Sequence, residues 1–284
     1  MKILVTGASG TVGKYAANEL LKMNASIVVA GTDTQKLLKI YGKDVERVKL
    51  DFTKEETFDA ALQEVDRVFL MRPPHLGKAE DLYPFIQIMK EHGIKLVSFL
   101  SLMGVEKNPI PPHHKIEKYI SELGLPFAHI RPGFFMQNLS GIHAEEIKEN
   151  NKILVPAGKS KTSFIDAADI GLAIATVLKD PERYKNTAHT LTGPQSLDYF
   201  EVAELLSQVT KKHISYADPG FLSYRSHYIN NRGLDKKYVN VTMALYLMTR
   251  LGTAEKVTDE FEKLTGKKPT SFREFAERNR GSFM

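Results

Sequence analysis

The 284-residue sequence contains no cysteine and no tryptophan. The first absence excludes disulfides, zinc sites with cysteine ligands, iron–sulfur clusters and thiol catalysis together. No apolar run reaches the roughly 18 residues that a membrane-spanning helix needs. Nor is there a block of five or more like charges, although the net charge is +5. A nucleic-acid binder concentrates its basic residues on one face or helix. The scattered excess here reads instead as solubility, with some attraction for a small anionic ligand. Met1-Lys2-Ile3-Leu4-Val5 runs straight into a strand, with no leader of signal-peptide form. The expectation is a cytoplasmic protein with a small-molecule ligand, no direct contact with nucleic acid and no membrane partner. Oligomeric state stays open.

What is present is a regular alternation. Strand-like runs at Lys2–Thr6, Ser26–Gly31, Glu46–Leu50, Arg67–Met71, Lys95–Leu100 and Phe127–Arg131 are rich in Val, Ile, Leu and Phe. Between them lie helical stretches at Thr11–Met23, Gln35–Tyr41, Lys54–Gln63, Lys78–His92 and His114–Leu123. Thr53-Lys54-Glu55-Glu56 has capping-box form. Six β/α alternations predict an α/β fold, a Rossmann-type doubly wound parallel sheet. The second half is less regular. Ile153–Pro156 and Ala188–Thr192 read as strands, and Ala167–Leu178 and Asp198–Val209 as helices. The chain after Pro219 is helical, and Ser271 to Glu274 opens a last helix. The expected division is a dinucleotide-binding domain over 1–152, with 164–193 returning to it. A smaller C-terminal α/β substrate-covering lobe then spans 153–284.

Thr6-Gly7-Ala8-Ser9-Gly10-Thr11-Val12-Gly13 joins the first strand to the first helix, the context that gives a glycine pattern its meaning. Gly7 allows a tight turn, Gly10 lets backbone approach a pyrophosphate, and Gly13 lets the helix pack closely. The unpaired amides around Thr11 and Val12 then face the anion. Dinucleotide binding follows.

The Gly-x-x-Gly-x-x-Gly spacing with Thr-Gly-Ala-Ser-Gly resembles the short-chain dehydrogenase superfamily. Its common catalytic Tyr-x-x-x-Lys pair is absent, since none of the 11 tyrosines has Lys four positions later. Further segments narrow the likeness. They are Val68–Pro74, Phe99–Val105, Arg131–Asn138, Thr162–Asp166, Leu191–Pro194, and Val257-Thr258-Asp259 before Leu264-Thr265-Gly266. In order and spacing they resemble the NmrA-like group of atypical short-chain dehydrogenases, over nearly the whole chain. The resemblance implies an NAD(P)H-dependent reductase of a quinone-like, aromatic or carbonyl acceptor. The same group also includes non-catalytic NAD(P)-binding regulators that act through a protein partner.

It also implies positions. Many relatives carry an Arg after the second strand, where Thr32 stands here. Asp33 next to it suits the ribose hydroxyl of NAD and repels the 2′-phosphate of NADP, a slight lean to NAD. Asp33 reads equally as a helix cap. Asp51 and Phe52, at the end of the third strand, fall where relatives contact adenine. Met71, Arg72 and Pro73 end the fourth strand near the middle of the cofactor; Pro132 and Phe134 follow the sixth, at its nicotinamide end. His113 and Glu117, four apart, share a helix face and match a family His-x-x-x-Glu pattern. A His there suits supply or relay of a proton to substrate oxygen. Ser101 sits near the superfamily's catalytic serine, and Lys115 is placed to orient the nicotinamide ribose. The plain alternative for His113 and Glu117 is capping and pairing on a solvated helix. Adjacent His113 and His114 point about 100° apart with no acidic cluster, so no metal is expected.

Overall fold

Ile3, Leu4 and Val5, like Val68, Phe69 and Leu70, are apolar at consecutive positions, so both faces of their strands need cover. The computed structural model, which describes residues 2–284, gives that cover by packing helices on both sides. Among the described residues nine strands form: β1 (Lys2–Val5), β2 (Ser26–Gly31), β3 (Glu46–Lys49), β4 (Val65–Met71), β5 (Leu96–Leu100), β6 (Phe127–Pro132), β7 (Lys152–Ile153), β8 (Thr187–Leu191) and β9 (Ser215–Tyr216). Seven make one parallel sheet in the order β3-β2-β1-β4-β5-β6-β8, a doubly wound Rossmann-type fold. Strand order reverses between β1 and β4. Open α/β sheets take their ligands at the carboxyl ends of strands beside such a reversal.

Five helices punctuate the first six strands: α1 (Thr11–Lys22), α2 (Thr34–Tyr41), α3 (Phe58–Leu62), α4 (Tyr83–Glu91) and α5 (Pro112–Glu122). Leu4, Val68, Leu70, Val97 and Phe99 share one buried cluster with Phe58, Phe85, Ile116 and Ile120 from α3, α4 and α5. The alternate positions Ile3, Val5, Val29 and Phe69 are buried on the other side, where α1 and the helix Ala167–Lys179 lie. Those two helices meet closely at Gly171. A Cβ there would stand 2.5 Å from the Cβ of Tyr15.

The chain falls into two units. One holds residues up to Pro132 with Ala167–Leu191 and Glu260–Lys267; the other holds Gly133–Asp166, Thr192–Asp259 and Lys268–Met284. The sequence reading places the boundary at 152, but the backbone changes partners as soon as β6 ends. Ile165 donates to the Phe134 carbonyl and Met136 to the Ile165 carbonyl, at 2.8 and 2.9 Å. Residues 133–136 therefore associate with 162–166. In this second unit β7 and β9 form a separate parallel pair.

Three local expectations change. Thr53 caps nothing, because Asp51 takes both its N–H and its hydroxyl, at 3.0 and 2.7 Å. The stretch 54–63 then splits into a 3-10 turn (Glu55–Thr57) and the short α3. The strand expected at Ile153–Pro156 is only Lys152–Ile153, since β9 offers two residues for pairing. The capping box at Ser271 and Glu274 is present as read.

Candidate functional site

The glycine turn lies at the β1 end of the strand reversal. Thr6 is fully buried, and its hydroxyl accepts from the Met71 amide at 3.1 Å, which ties the ends of β1 and β4 together. Gly7 adopts φ +59°, and a Cβ on it would come 2.1 Å from the Met71 sulfur. Only glycine satisfies both conditions. A Cβ on Gly13 would stand 2.2 Å from the Gly7 carbonyl oxygen, so α1 lies directly against the turn. Gly10 is the N-cap residue and supplies no side-chain acceptor. The amides at Thr11 and Val12 in the first turn of α1 are therefore left for an outside acceptor. A Cβ on Gly10 would meet only the Gly7 oxygen, at 3.2 Å, so its outer side is open. Ser9 beside it is half-buried, and Tyr41 pins the turn from behind by donating to the Ala8 carbonyl at 2.7 Å. This cradle fits a pyrophosphate.

Asp33 begins α2, and its carboxylate accepts the Lys36 amide at 2.9 Å. It is a helix cap. One of its oxygens is thus engaged within the chain, which weakens the argument from Asp33 for NAD; Thr32 next to it is exposed. Asp51 is held as firmly by Thr53, whose hydroxyl and amide keep its carboxyl below the ordinary value. Phe52 is half-buried, its ring edge-on to Phe85 at 5.1 Å.

At the end of β4, Arg72 turns its guanidinium back on its own loop, toward the carbonyls of Leu76 and Pro73. Burial lowers its pKa, and its charge acts on His113. His113 stacks on Phe99 at 5.9 Å, and burial, reinforced by Arg72, pushes it down to about 4. It is neutral at pH 7. Glu117, one turn on, is held in a bidentate pair by Arg131 from β6, with Nε at 3.0 Å and Nη2 at 2.6 Å. Burial alone would raise the Glu117 carboxyl. Arg131, with His129 and Ser101 beside it, brings it below its ordinary value instead. Ser101 is buried at the end of β5. The Lys115 ammonium lies 3.3 Å from Glu80 on an exposed surface.

The structure thus gathers Ser101, His113 and Glu117 around the start of α5, but gives Glu117 a strong partner that the sequence reading missed. Arg131 lies on the same strand face as Phe127 and His129, stacked at 4.2 Å, and lines with them an open depression of about 480 Å³. The signal was legible: 127, 129 and 131 alternate along a strand, and two of the three are polar. Pro132 accepts from the Met103 amide at 3.0 Å. Phe134, in the second unit, has its ring 6.0 Å from that of Tyr246. No cluster of three metal-ligating side chains occurs among the described residues, and none of their helices is long and apolar enough to cross a membrane.

A model of the NmrA-like family matches residues 1–276. The prestalk A differentiation protein A of Dictyostelium discoideum is 32% identical over 97% of this chain and 91% of its own length. The NAD(P)H azoreductase of Xenophilus azovorans is 28% identical over 99% of each. The NADPH-dependent quinone oxidoreductase of Escherichia coli, solved with NADPH, superposes with a TM-score of 0.88. It covers 98% of this chain and 99% of its own, at 21% identity, a likeness of fold.

Proposed function

The chain belongs to the NmrA-like family, and on that premise we propose that it is an NAD(P)H-dependent oxidoreductase acting on a quinone-like, aromatic or carbonyl small molecule. One observation carries the reading: α1 starts without a side-chain cap, against a three-glycine turn, at the strand reversal. When bound, the reduced nicotinamide supplies the hydride. The residues of the chain do the rest. The amides at Thr11 and Val12, with Ser9 and Gly10, hold the pyrophosphate. Thr32, Asp33, Asp51 and Phe52 flank the adenosine end; Met71, Arg72, Pro73, Lys115 and Pro132 flank the other.

His113 is the group best suited to an acceptor oxygen, but in a particular form. Held neutral at pH 7, it donates an N–H hydrogen bond and carries no surplus proton, so the net proton comes from solvent. Glu117 fixes Arg131 and the start of α5 and is not the proton source, because a bidentate guanidinium keeps it ionised. Either nicotinamide nucleotide is accommodated in this proposal, since Asp33 is engaged as a cap. A regulator that binds NAD(P) without turnover is the second reading, favoured by the absent Tyr-x-x-x-Lys pair and the neutral His113.

Titration of NADH and NADPH by fluorescence, followed by cofactor oxidation with quinones, azo dyes and aldehydes, separates these. Saturable binding with turnover of at least one acceptor supports the reductase. Tight binding without turnover of any acceptor moves the chain to the regulators, and binding of neither nucleotide overturns both.

A further inference from the structure

Parallel sheets ordinarily have both faces covered by helices. Here one face is left open at β6 and β8. Val97 and Phe99 of β5 share a buried cluster with Ile116 and Ile120 of α5. Their register partners Phe127 and His129 continue that face on β6, and His129 in turn pairs in register with Ala188 of β8. Ala188 is exposed. The result is the open depression of about 480 Å³ between α5, β6 and β8, a volume within the range of small-molecule sites.

The lining contains an unfinished hydrogen-bond set. His129 is 2% exposed, its ring stacked on Phe127 at 4.2 Å and edge-on to Phe99 at 6.1 Å. Its Nδ1 is buried without a hydrogen-bond partner, and no hydrogen bond holds the ring at either nitrogen. A buried polar group left unpaired is costly, and native folds rarely carry one without a reason. Burial pushes this imidazole down to about 4, so it is neutral at pH 7. A neutral imidazole has one donor and one acceptor nitrogen, so a ligand group that both donates and accepts serves either tautomer. A hydroxyl does both. His114, also in the lining, donates from Nδ1 to the Val105 carbonyl at 2.8 Å, which leaves Nε2 of the neutral ring as a further acceptor.

Charge narrows the occupant further. Arg131 is paired with Glu117 at 2.6 Å and with Glu106 at 3.4 Å, and Lys118 with Glu122 at 3.6 Å. Cations and carboxylates at the depression offset each other, so an ionic ligand would have to break a pair. The Phe127–His129 stack meanwhile presents aromatic surface, which suits a flat ring. We propose that this depression binds a neutral planar aromatic molecule carrying a hydroxyl, with the hydroxyl bonded to His129 and the ring against Phe127. The site is built from the first unit alone and does not depend on the nucleotide.

Isothermal titration calorimetry of the full chain, with no nucleotide added, tests this with 2-naphthol, its methyl ether and 2-naphthoate. The wild type is compared with Ala188→Trp and His129→Phe. Ala188 is exposed, so tryptophan there fills the depression and leaves the circular dichroism spectrum unchanged. Phenylalanine at 129 keeps an aromatic ring on Phe127 and removes both nitrogens. The expected result is saturable binding of 2-naphthol with Kd at or below about 1 mM, at least about tenfold tighter than either the ether or 2-naphthoate. Ala188→Trp abolishes that binding, and His129→Phe weakens it at least about tenfold. No saturable binding of 2-naphthol by the wild type overturns the proposal, as does binding indifferent to Ala188→Trp. Binding of the ether as tight as that of 2-naphthol also overturns it, since the hydroxyl then has no part. Tighter binding of 2-naphthoate overturns it too, assigning the depression to an anion.

Discussion

Two helix starts in this chain meet the same physical requirement in opposite ways. The helix Tyr199–Thr210 begins at Asp198, whose carboxylate accepts the amides of Phe200 and Glu201 at 2.9 Å, while Glu201 returns to the Asp198 amide at 2.8 Å. Helix α1 begins at Gly10 and has no side-chain acceptor at all. Its N-cap position cannot supply one, because the glycine there has no side chain. The second unit is sealed elsewhere too. His143 is fully buried and bonded at both ring nitrogens, to Tyr228 at 2.6 Å and Tyr246 at 2.8 Å. With Tyr228 donating onward to the Leu154 carbonyl, the imidazole donates through Nδ1 and accepts from Tyr246 through Nε2. On the proposed function, the donors left open are the ligand's place and the donors closed by neighbours are structural.

That contrast can be broken from either side. The largest effect is expected from Gly13→Val, which drives carbon into the Gly7 carbonyl. Nucleotide affinity should fall at least about 100-fold and stability by about 3 kcal/mol, read by fluorescence titration and urea unfolding. Acid should act on the buried histidines. Burial pushes His129 and His143 to about 4, below the unfolded value of about 6.5, so the unfolded chain binds protons first. Their contribution is complete above pH 6.5 and is lost as pH falls toward 4. Each loss is on the order of 3 kcal/mol, visible as a falling melting temperature across that window.

Tyr246→Phe removes the donor to His143 and leaves a buried nitrogen unpaired. A cost of about 1–3 kcal/mol is expected, with nucleotide affinity unchanged within about twofold. Asp198→Ala removes a structural cap and should cost about 1 kcal/mol, again with no effect on nucleotide. Nucleotide affinity that moved with either would blur the distinction between the two helix starts.

Sequence and structure agree where a residue pattern has one physical reading. The glycine turn was legible because its meaning depends on spacing within eight residues and on a strand before and a helix after. Asp33 was not, since a cap and a ribose ligand demand the same residue type at the same place. The spacing of His113 and Glu117 suggested a pair. The partner that wins is Arg131, fourteen residues away on the next strand, because a bidentate guanidinium outweighs a neutral imidazole. Thr53 has the form of a cap, yet Asp51 two residues earlier takes its hydroxyl. The length of β7 depended on β9, 63 residues further on, which no local pattern encodes.

Gly10→Asp supplies the helix start of α1 with the side-chain acceptor it lacks. Its backbone, at φ −88° and ψ 173°, suits an N-cap aspartate, and the one close neighbour of the added Cβ is the Gly7 carbonyl oxygen at 3.2 Å. The measurement is NADPH and NADH titration of the wild type and this variant, with melting temperatures taken on the same samples. Saturable binding by the wild type is expected, with affinity at least about 100-fold weaker in Gly10→Asp and a cooperative melting transition in both. Wild-type affinity in the variant, or no binding by the wild type, would contradict the assignment of this helix start to the nucleotide.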